Sequence, residues 1–137
     1  MRFAVRFYEE DGWKMADAVR FKRLTQGKSD EEIRRMAQDL LLNCVVWEWK
    51  SAREVESDQK LPEGCEWVTI PAKPLLAARI ASQRQKSGMT MKEVAAKLGV
   101  GISTYQRWES PKLCNAGVDT LERIARAYGK ELHVEFV

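Results

Sequence analysis

Few side chains in this sequence suit covalent or metal chemistry, and their spacing argues against both. The cysteines are Cys44, Cys65 and Cys114, and the one histidine is His133. A structural zinc site needs a full tetrahedral set of nitrogen or sulfur ligands, usually built on closely spaced cysteine pairs. No such pair exists here, so neither a metal nor a cofactor is implied. An odd cysteine count without a pairing pattern reads as buried, inert thiols. The carboxylates of Glu9, Glu10, Asp11 and Asp17 suit metal-assisted hydrolysis in type. Three of them, however, crowd one turn, as at a solvated hairpin tip, and no second acid cluster follows on a strand. No glycine-rich phosphate cradle precedes a helix. The chain therefore reads as a binding protein with no catalytic residue.

Binding chemistry gathers near the C-terminal end. Ser103, Thr104, Gln106 and Arg107 lie on a predicted helix from about Ile102 to Glu109, whose period turns Ile102, Tyr105 and Trp108 inward. Hydroxyls, an amide and a guanidinium can reach base edges and phosphates from a helix in the major groove. Arg107 is the strongest donor of the set. Lys92 and Lys97 stand where they can steer toward the phosphate backbone. The same polar face would also suit an ordinary helical bundle, and the preceding elements separate the two readings.

Lys73 to Lys86 reads as a helix with Leu75, Leu76, Ile80 and Ala81 on its apolar stripe, stopped by Ser87-Gly88. Thr90 and Glu93 form a capping box at the start of a short helix, with Val94, Ala95 and Leu98 inward. Gly99 permits a turn with positive φ, and Val100 plugs it. Val118-Asp119-Thr120 opens a last helix with Leu121, Ile124, Ala125 and Tyr128 inside, ended by Gly129. Leu132, Val134 and Phe136 alternate as a short final strand. A helix, a short helix, a glycine turn and a third helix with a polar outer face make a helix-turn-helix.

The first 71 residues read differently. Phe3, Val5 and Phe7 alternate with Arg2, Arg6 and Tyr8 as a half-buried strand. Glu10-Asp11-Gly12 turns the chain into a second strand over 13–21. Thr25-Gln26-Gly27-Lys28 reads as a turn, followed by an N-cap at Ser29 and a capping box with Glu32. Asp30, Glu31 and Glu32 suit the positive end of the helix dipole. Ile33, Met36, Ala37, Leu40, Leu41, Cys44 and Trp47 keep helical spacing. From Leu40 to Trp49 the sequence LLLNCVVWEW is apolar nearly all round. Either both sides of this helix are covered, with Trp47 and Trp49 meeting a partner, or the segment turns into a strand. Residues 51–64 read as a loop or linker, and Cys65 to Ile70 as another strand. The expected architecture is α+β: a β-β-α-β layer over 1–71, then an all-α helix-turn-helix domain over 72–137 with a short terminal strand.

Charge follows the same division. Residues 1–71 carry 12 Lys/Arg against 14 Asp/Glu, and residues 72–137 carry 11 against 6. Within 73–112 the count is 8 against 2, a local excess of the sign that attracts phosphate. Glu9, Glu10 and Asp11 put negative charge at the hairpin of the acidic half, where it suits a basic partner. With a mean hydropathy of −0.45, no apolar run long enough for a membrane span and no signal-peptide pattern, the expected compartment is the cytoplasm.

Two resemblances sharpen this reading. Thr90-x-x-Glu93-Val94-Ala95-x-x-Leu98-Gly99-Val100, then Ser103-Thr104-Tyr105-Gln106-Arg107-Trp108-Glu109 and Val118-Asp119-Thr120-Leu121-x-x-Ile124-Ala125, resemble the Xre/Cro-type helix-turn-helix over about residues 75–130. That resemblance implies that Ile102 to Trp108 enters the major groove. Over nearly the full length, the Thr25-Gln26-Gly27 turn before the capped helix, Ile70-Pro71 and the closing Gly129-Lys130-Glu131-Leu132 resemble the HicB antitoxins of type II toxin–antitoxin systems. The family implies a degenerate RNase H-like N-terminal layer without activity. Its partner would be a small basic HicA-like toxin that cleaves mRNA through a catalytic histidine. It further implies a homo-oligomer, dimer or higher, on a palindromic operator. A free-standing repressor, whose N-terminal half senses a ligand or dimerises, and an RNA-processing enzyme are the competing readings.

Overall fold

The structure is a computed structural model and describes residues 1–137. Asp11 and Gly12 both take positive φ, 50° and 79°, the backbone a two-residue hairpin needs to match strand twist. They join β1, Arg2–Glu10, to β2, Trp13–Ala18, with Glu10 opposite Trp13 and Phe7 opposite Ala16. A 3-10 turn at Val19–Phe21 ends with Lys22 in the left-handed region. The chain then forms β3, Arg23–Gly27, antiparallel to β2.

This third strand corrects the expectation of a turn at Thr25 to Lys28. Its sequence RLTQG has no apolar alternation because it is an edge strand, with Leu24 57% exposed. Only pairing to β2 makes it a strand. The N-terminal layer is accordingly β-β-β-α-β, not β-β-α-β.

Gly27 ends β3 where the long helix α1, Asp30–Lys50, begins. A Cβ at Gly27 would lie 3.0 Å from the backbone nitrogen of Ile33, so any side chain there would press on the first turn of the helix. The Ser29 hydroxyl accepts from the Glu32 amide at 3.1 Å, and the Glu32 carboxylate accepts from the Lys28 amide at 2.8 Å. The expected capping box forms in part: Ser29 caps the helix, while the Glu32 carboxylate reaches the amide one residue before the N-cap rather than that of Ser29. Ile33, Ala37, Leu41, Val45 and Trp49 form the buried stripe of α1. It packs over Phe3, Val5, Ala16 and Ala18, all buried, and the alanines let helix and sheet approach.

The apolar run in α1 stays helical to Lys50, which rules out the strand alternative. Its surplus apolar surface lies on the flanks and outside: Leu40, Leu42, Cys44 and Val46 are half-buried and Trp47 is 64% exposed. Trp49, expected at a partner surface, is 4% exposed. Two residues of helix rotate it about 200° from Trp47 and into the core.

β4, Glu66–Thr69, pairs antiparallel with β1, giving the order β3-β2-β1-β4. Residues 51–65, without regular structure, turn the chain so that β4 also runs antiparallel to β3. They are more than a linker. Val55 is buried. The Ser57 hydroxyl accepts from the Arg2 amide at 3.0 Å, and Asp58 accepts from the Ala4 amide at 2.9 Å. The Asp58 amide donates to the Arg2 carbonyl at 3.0 Å. Those β1 groups lie beyond the reach of β2, so Ser57 and Asp58 complete the strand's hydrogen bonding.

The chain divides into two compact units, Met1–Pro71 and Ala72–Val137. The second contains α2, Ala72–Ser87, α3, Met91–Leu98, α4, Ile102–Trp108, and α5, Val118–Ala127. The strand expected at Leu132 to Phe136 is not formed. This all-helical unit offers no sheet edge for it to pair with, and Phe136 is 100% exposed.

Gly27→Ala should lower stability by about 1–3 kcal/mol, because the added methyl meets helix backbone that cannot rotate away. Urea unfolding followed by far-UV circular dichroism measures the loss; a midpoint equal to wild type would show that α1 yields freely.

Candidate nucleic-acid interface

α4 is seven residues long, too short to be stable as an isolated helix. Its position comes from what it buries. Tyr105 and Trp108 are both in the core of the second unit, with ring centroids 5.9 Å apart and planes at 82°, a favourable edge-to-face arrangement. The Tyr105 hydroxyl is hydrogen-bonded to that of Tyr128 at the end of α5. Burial first, then the hydrogen bond to Glu109, raises the Tyr105 phenol above its ordinary range.

The turn before α4 is built as expected. Thr90 caps α3 by accepting from the Glu93 amide at 3.1 Å. Gly99 sits at φ 70°, and the Val100 amide donates back to the Ala95 carbonyl at 3.0 Å, a Schellman-type helix end. Val94, Ala95 and Leu98 are buried and Val100 packs on the same core. Met91 is also partly buried against it.

A buried ion pair holds the other end of α4. Arg84 Nε and Nη2 donate to the two carboxylate oxygens of Glu109 at 2.6 and 3.0 Å, while Nη1 donates to the Met89 carbonyl at 3.1 Å. Both side chains are largely out of water. The fork ties the last turn of α2, the α2–α3 turn and the end of α4 at one point. The hydrogen bond to Glu109 is the main reason the Arg84 guanidinium lies above its ordinary range. Sequence reasoning missed this pair. Its signal was a lone acid at the end of a helix in a strongly basic stretch.

With Tyr105 and Trp108 inside, Ser103, Thr104, Gln106 and Arg107 are all exposed. At about 100° per residue, Ser103 lies near the middle of the outer face, Gln106 and Arg107 stand on either side of it, and Thr104 lies at the edge beyond Arg107. The structure thus brings the four predicted residues onto one surface. Ile102, expected inside, is 43% exposed; the same rotation puts it beside Gln106 rather than between Tyr105 and Trp108. Elsewhere in the unit, Ala77 and Ile80 bury from α2, and Ile124 and Ala127 from α5, while Leu75, Leu76, Ala81, Leu121, Ala125 and Tyr128 are only half-buried.

The two predicted lysines differ. Lys92 is exposed on α3. Lys97 donates to the Ala127 carbonyl at 3.0 Å, so its ammonium closes the C-terminal end of α5. The Arg123 guanidinium donates likewise to the Leu98 carbonyl. Arg84 and Glu109 cancel each other, so the positive excess of residues 73–112 is unchanged.

In the first unit, Glu9, Glu10 and Asp11 are exposed around the β1–β2 hairpin. Lys14 Nζ lies 2.6 Å from Glu9 and 3.1 Å from Asp30. These hydrogen bonds raise its pKa. Helical rise places Trp47 about 25 Å along α1 from Asp30, so the structure does not bring the acids and Trp47 into one site. Asp17, the remaining carboxylate considered for hydrolysis, is half-buried on β2. No cluster of His, Cys, Asp and Glu in the structure could hold a metal ion. The three cysteines are free, and only Cys114 is buried; burial raises the Cys44 thiol. Cys44 and Cys65 are half-buried rather than enclosed, which corrects the expectation for all three. No helix is long and apolar enough to cross a membrane.

Comparison with known proteins agrees with this geometry. Residues 80–134 match a helix-turn-helix family model, and the chain carries that domain. Over 135 residues, 98% of this chain and 95% of the relative, it is 27% identical to Antitoxin HicB 2 of Photorhabdus laumondii subsp. laumondii.

Glu109→Ala leaves the Arg84 guanidinium buried without its carboxylate and should cost about 3–5 kcal/mol of the second unit's stability. Replacing both, Arg84→Met with Glu109→Leu, should recover most of it. Urea titration followed at the Trp108 indole N–H resonance reads both changes. An unshifted Glu109→Ala midpoint would show that the pair does not hold α4.

Proposed function

We propose that this protein is an antitoxin-repressor: its first unit binds and neutralises a small basic mRNA-cleaving toxin of the HicA type, and its second binds operator DNA of its own operon. The carrying observation is the outer face of α4, where Ser103, Thr104, Gln106 and Arg107 stand exposed on a helix clamped within a helix-turn-helix domain. Similarity along nearly the whole chain to a protein named as an antitoxin extends the reading to the first unit.

On DNA, α4 enters the major groove. Arg107 donates to guanine or phosphate, Gln106, Ser103 and Thr104 read neighbouring edges, and Lys92 approaches the backbone. Lys97 contributes long-range charge while its ammonium holds the end of α5. Two copies present two such helices to the half-sites of a palindrome.

The first unit is read as a degenerate RNase H-like layer without activity. Three antiparallel strands followed by a helix support that reading. Its acid excess and the exposed Glu9, Glu10 and Asp11 suit a basic toxin. Trp47 is a second contact surface, apart from the first. Neutralisation works by covering the toxin's RNA-binding surface and catalytic histidine. The protein acts in the cytoplasm, where mRNA and operator are both present.

Expression of the adjacent short reading frame alone should arrest growth, and co-expression of this protein should rescue it. No arrest would remove the toxin partner and leave a free-standing repressor. Arg107→Ala should weaken operator binding by about 1–3 kcal/mol at fixed salt while rescue persists. An unchanged binding isotherm would take Arg107 out of the interface.

A further inference from the structure

β3 lies at the edge of the first unit's sheet, so one side of it has no strand beside it. The hairpin decides which groups that side offers. Asp11-Gly12 is a two-residue loop, so Glu10 and Trp13 exchange both backbone hydrogen bonds. Alternation gives the same exchange to Tyr8 with Met15 and to Arg6 with Asp17. Lys14, Ala16 and Ala18 therefore turn their backbone groups to β3, where they meet Gly27, Thr25 and Arg23. The N–H and C=O of Leu24 and Gln26 are left aimed away from the sheet, and no other backbone segment takes them.

Beside this open edge runs one flank of α1. Arg34 and Gln38 reach Glu66 and the Thr69 carbonyl on the β4 side. Cys44 and Glu48 lie on the opposite side, within electrostatic reach of Arg23 and Arg20. Leu40 and Trp47 stand within about 60° of Cys44 around the helix. The flank of α1 toward β3 is thus apolar, and it includes the exposed Trp47. Charge along the edge has one sign. Residues 20–28 hold four Lys/Arg and no Asp/Glu. Arg20 turns back to Asp58 and the Glu56 carbonyl, while Lys22, Arg23 and Lys28 are exposed. Lysines on an edge strand guard against indiscriminate strand pairing. They do not account for an exposed tryptophan and an exposed leucine, Trp47 and Leu24, beside them.

We infer that the edge of β3 is a docking site for an extended acidic segment of another protein, added to the sheet as a further strand. The segment's backbone pairs with Leu24 and Gln26. Its side chains toward the helix are apolar and cover Leu40, Cys44 and Trp47. Those on its other face are acidic and meet Lys22 and Lys28, which bracket Leu24 and Gln26 in sequence. Two β3 edges brought together would oppose like charges, which disfavours a second copy. A basic segment is repelled for the same reason, so a basic toxin keeps to Glu9, Glu10 and Asp11. The site shares with the proposed function only Trp47 as a contact surface, and it is tested without toxin or DNA.

The probe is the acetylated and amidated peptide Glu-Val-Glu-Val-Glu-Val-Glu, titrated into isotope-labelled full-length protein. In the free protein the Leu24 and Gln26 amides should exchange with solvent as unpaired amides. Both, with the Trp47 indole N–H, should shift on adding peptide. Lys-Val-Lys-Val-Lys-Val-Lys keeps the alternation and reverses the charge, and should bind at least tenfold more weakly. Gln26→Pro removes an outward N–H, which an edge strand tolerates. It should weaken the acidic peptide at least tenfold and leave the resonance of the buried Trp49 indole in place. Lys22→Glu with Lys28→Glu should invert the preference toward the basic peptide, a change that misfolding cannot produce. Both variants should still rescue growth, so failure of this site and failure of toxin neutralisation are read separately. Protected Leu24 and Gln26 amides in the free protein would mean that a second copy already covers the edge, and would overturn the site. Equal affinity for the two peptides, or tighter binding of an oligouridylate at these amides, would do the same.

Discussion

A helix of two turns has to be held from outside, and in this protein the helix that carries the polar outer face is that short. Its intrahelical hydrogen bonds do not offset the cost of ordering it. Tyr105 and Trp108 hold it by burial, and Arg84 with Glu109 holds its far end through a two-pronged ion pair. Because these contacts take the inward positions, Ser103, Thr104, Gln106 and Arg107 point outward with nothing intramolecular to rearrange before binding. Preorganisation of this kind lowers the entropy lost on association.

The first unit solves a different packing problem. A long helix lies on a small antiparallel sheet, and close approach is needed where β3 passes into α1. Gly27 supplies it at the helix start, and Ala16 and Ala18 supply it beneath the helix. The segment containing Ser57 and Asp58 finishes the hydrogen bonding of β1 where β2 has turned away. A stretch that looks like a connector is therefore part of the fold's polar satisfaction. Of the large apolar side chains this unit keeps outside, Trp47 on α1 is the most exposed at 64%, ahead of Leu24 on β3 at 57%.

The two units carry opposite charge excess, and each sign suits a different partner class. Local pairing keeps the charges from being interchangeable. Lys97 and Arg123 serve helix C-termini, Lys14 is held by Glu9 and Asp30, and Arg84 is cancelled by Glu109. Arg107 and Lys92 remain directed at solvent on the α3–α4 side.

Local chemistry made much of this legible without coordinates. The N-caps at Ser29 and Thr90, the Asp11-Gly12 hairpin, the glycine ends at Gly88, Gly99 and Gly129, and the outward face of α4 depend on neighbours a few residues apart. The periodicity of α1 found Ile33, Ala37 and Leu41 of its buried stripe but neither Val45 nor Trp49; Met36, Leu40 and Cys44 are half-buried and Trp47 is exposed. Contacts distant in sequence decided the rest. β3 has no apolar alternation and exists because β2 offers it an edge. Asp58 matters through its bond to Ala4, and Glu109 through Arg84, pairs that no local spacing announces. Conversely, Leu132 to Phe136 has a strand's pattern and forms none within one chain, because a strand needs a hydrogen-bonding neighbour. Turns, caps and helix faces were set by the sequence itself; edge strands and buried ion pairs were decided by tertiary structure, since their energy comes from partners far along the chain.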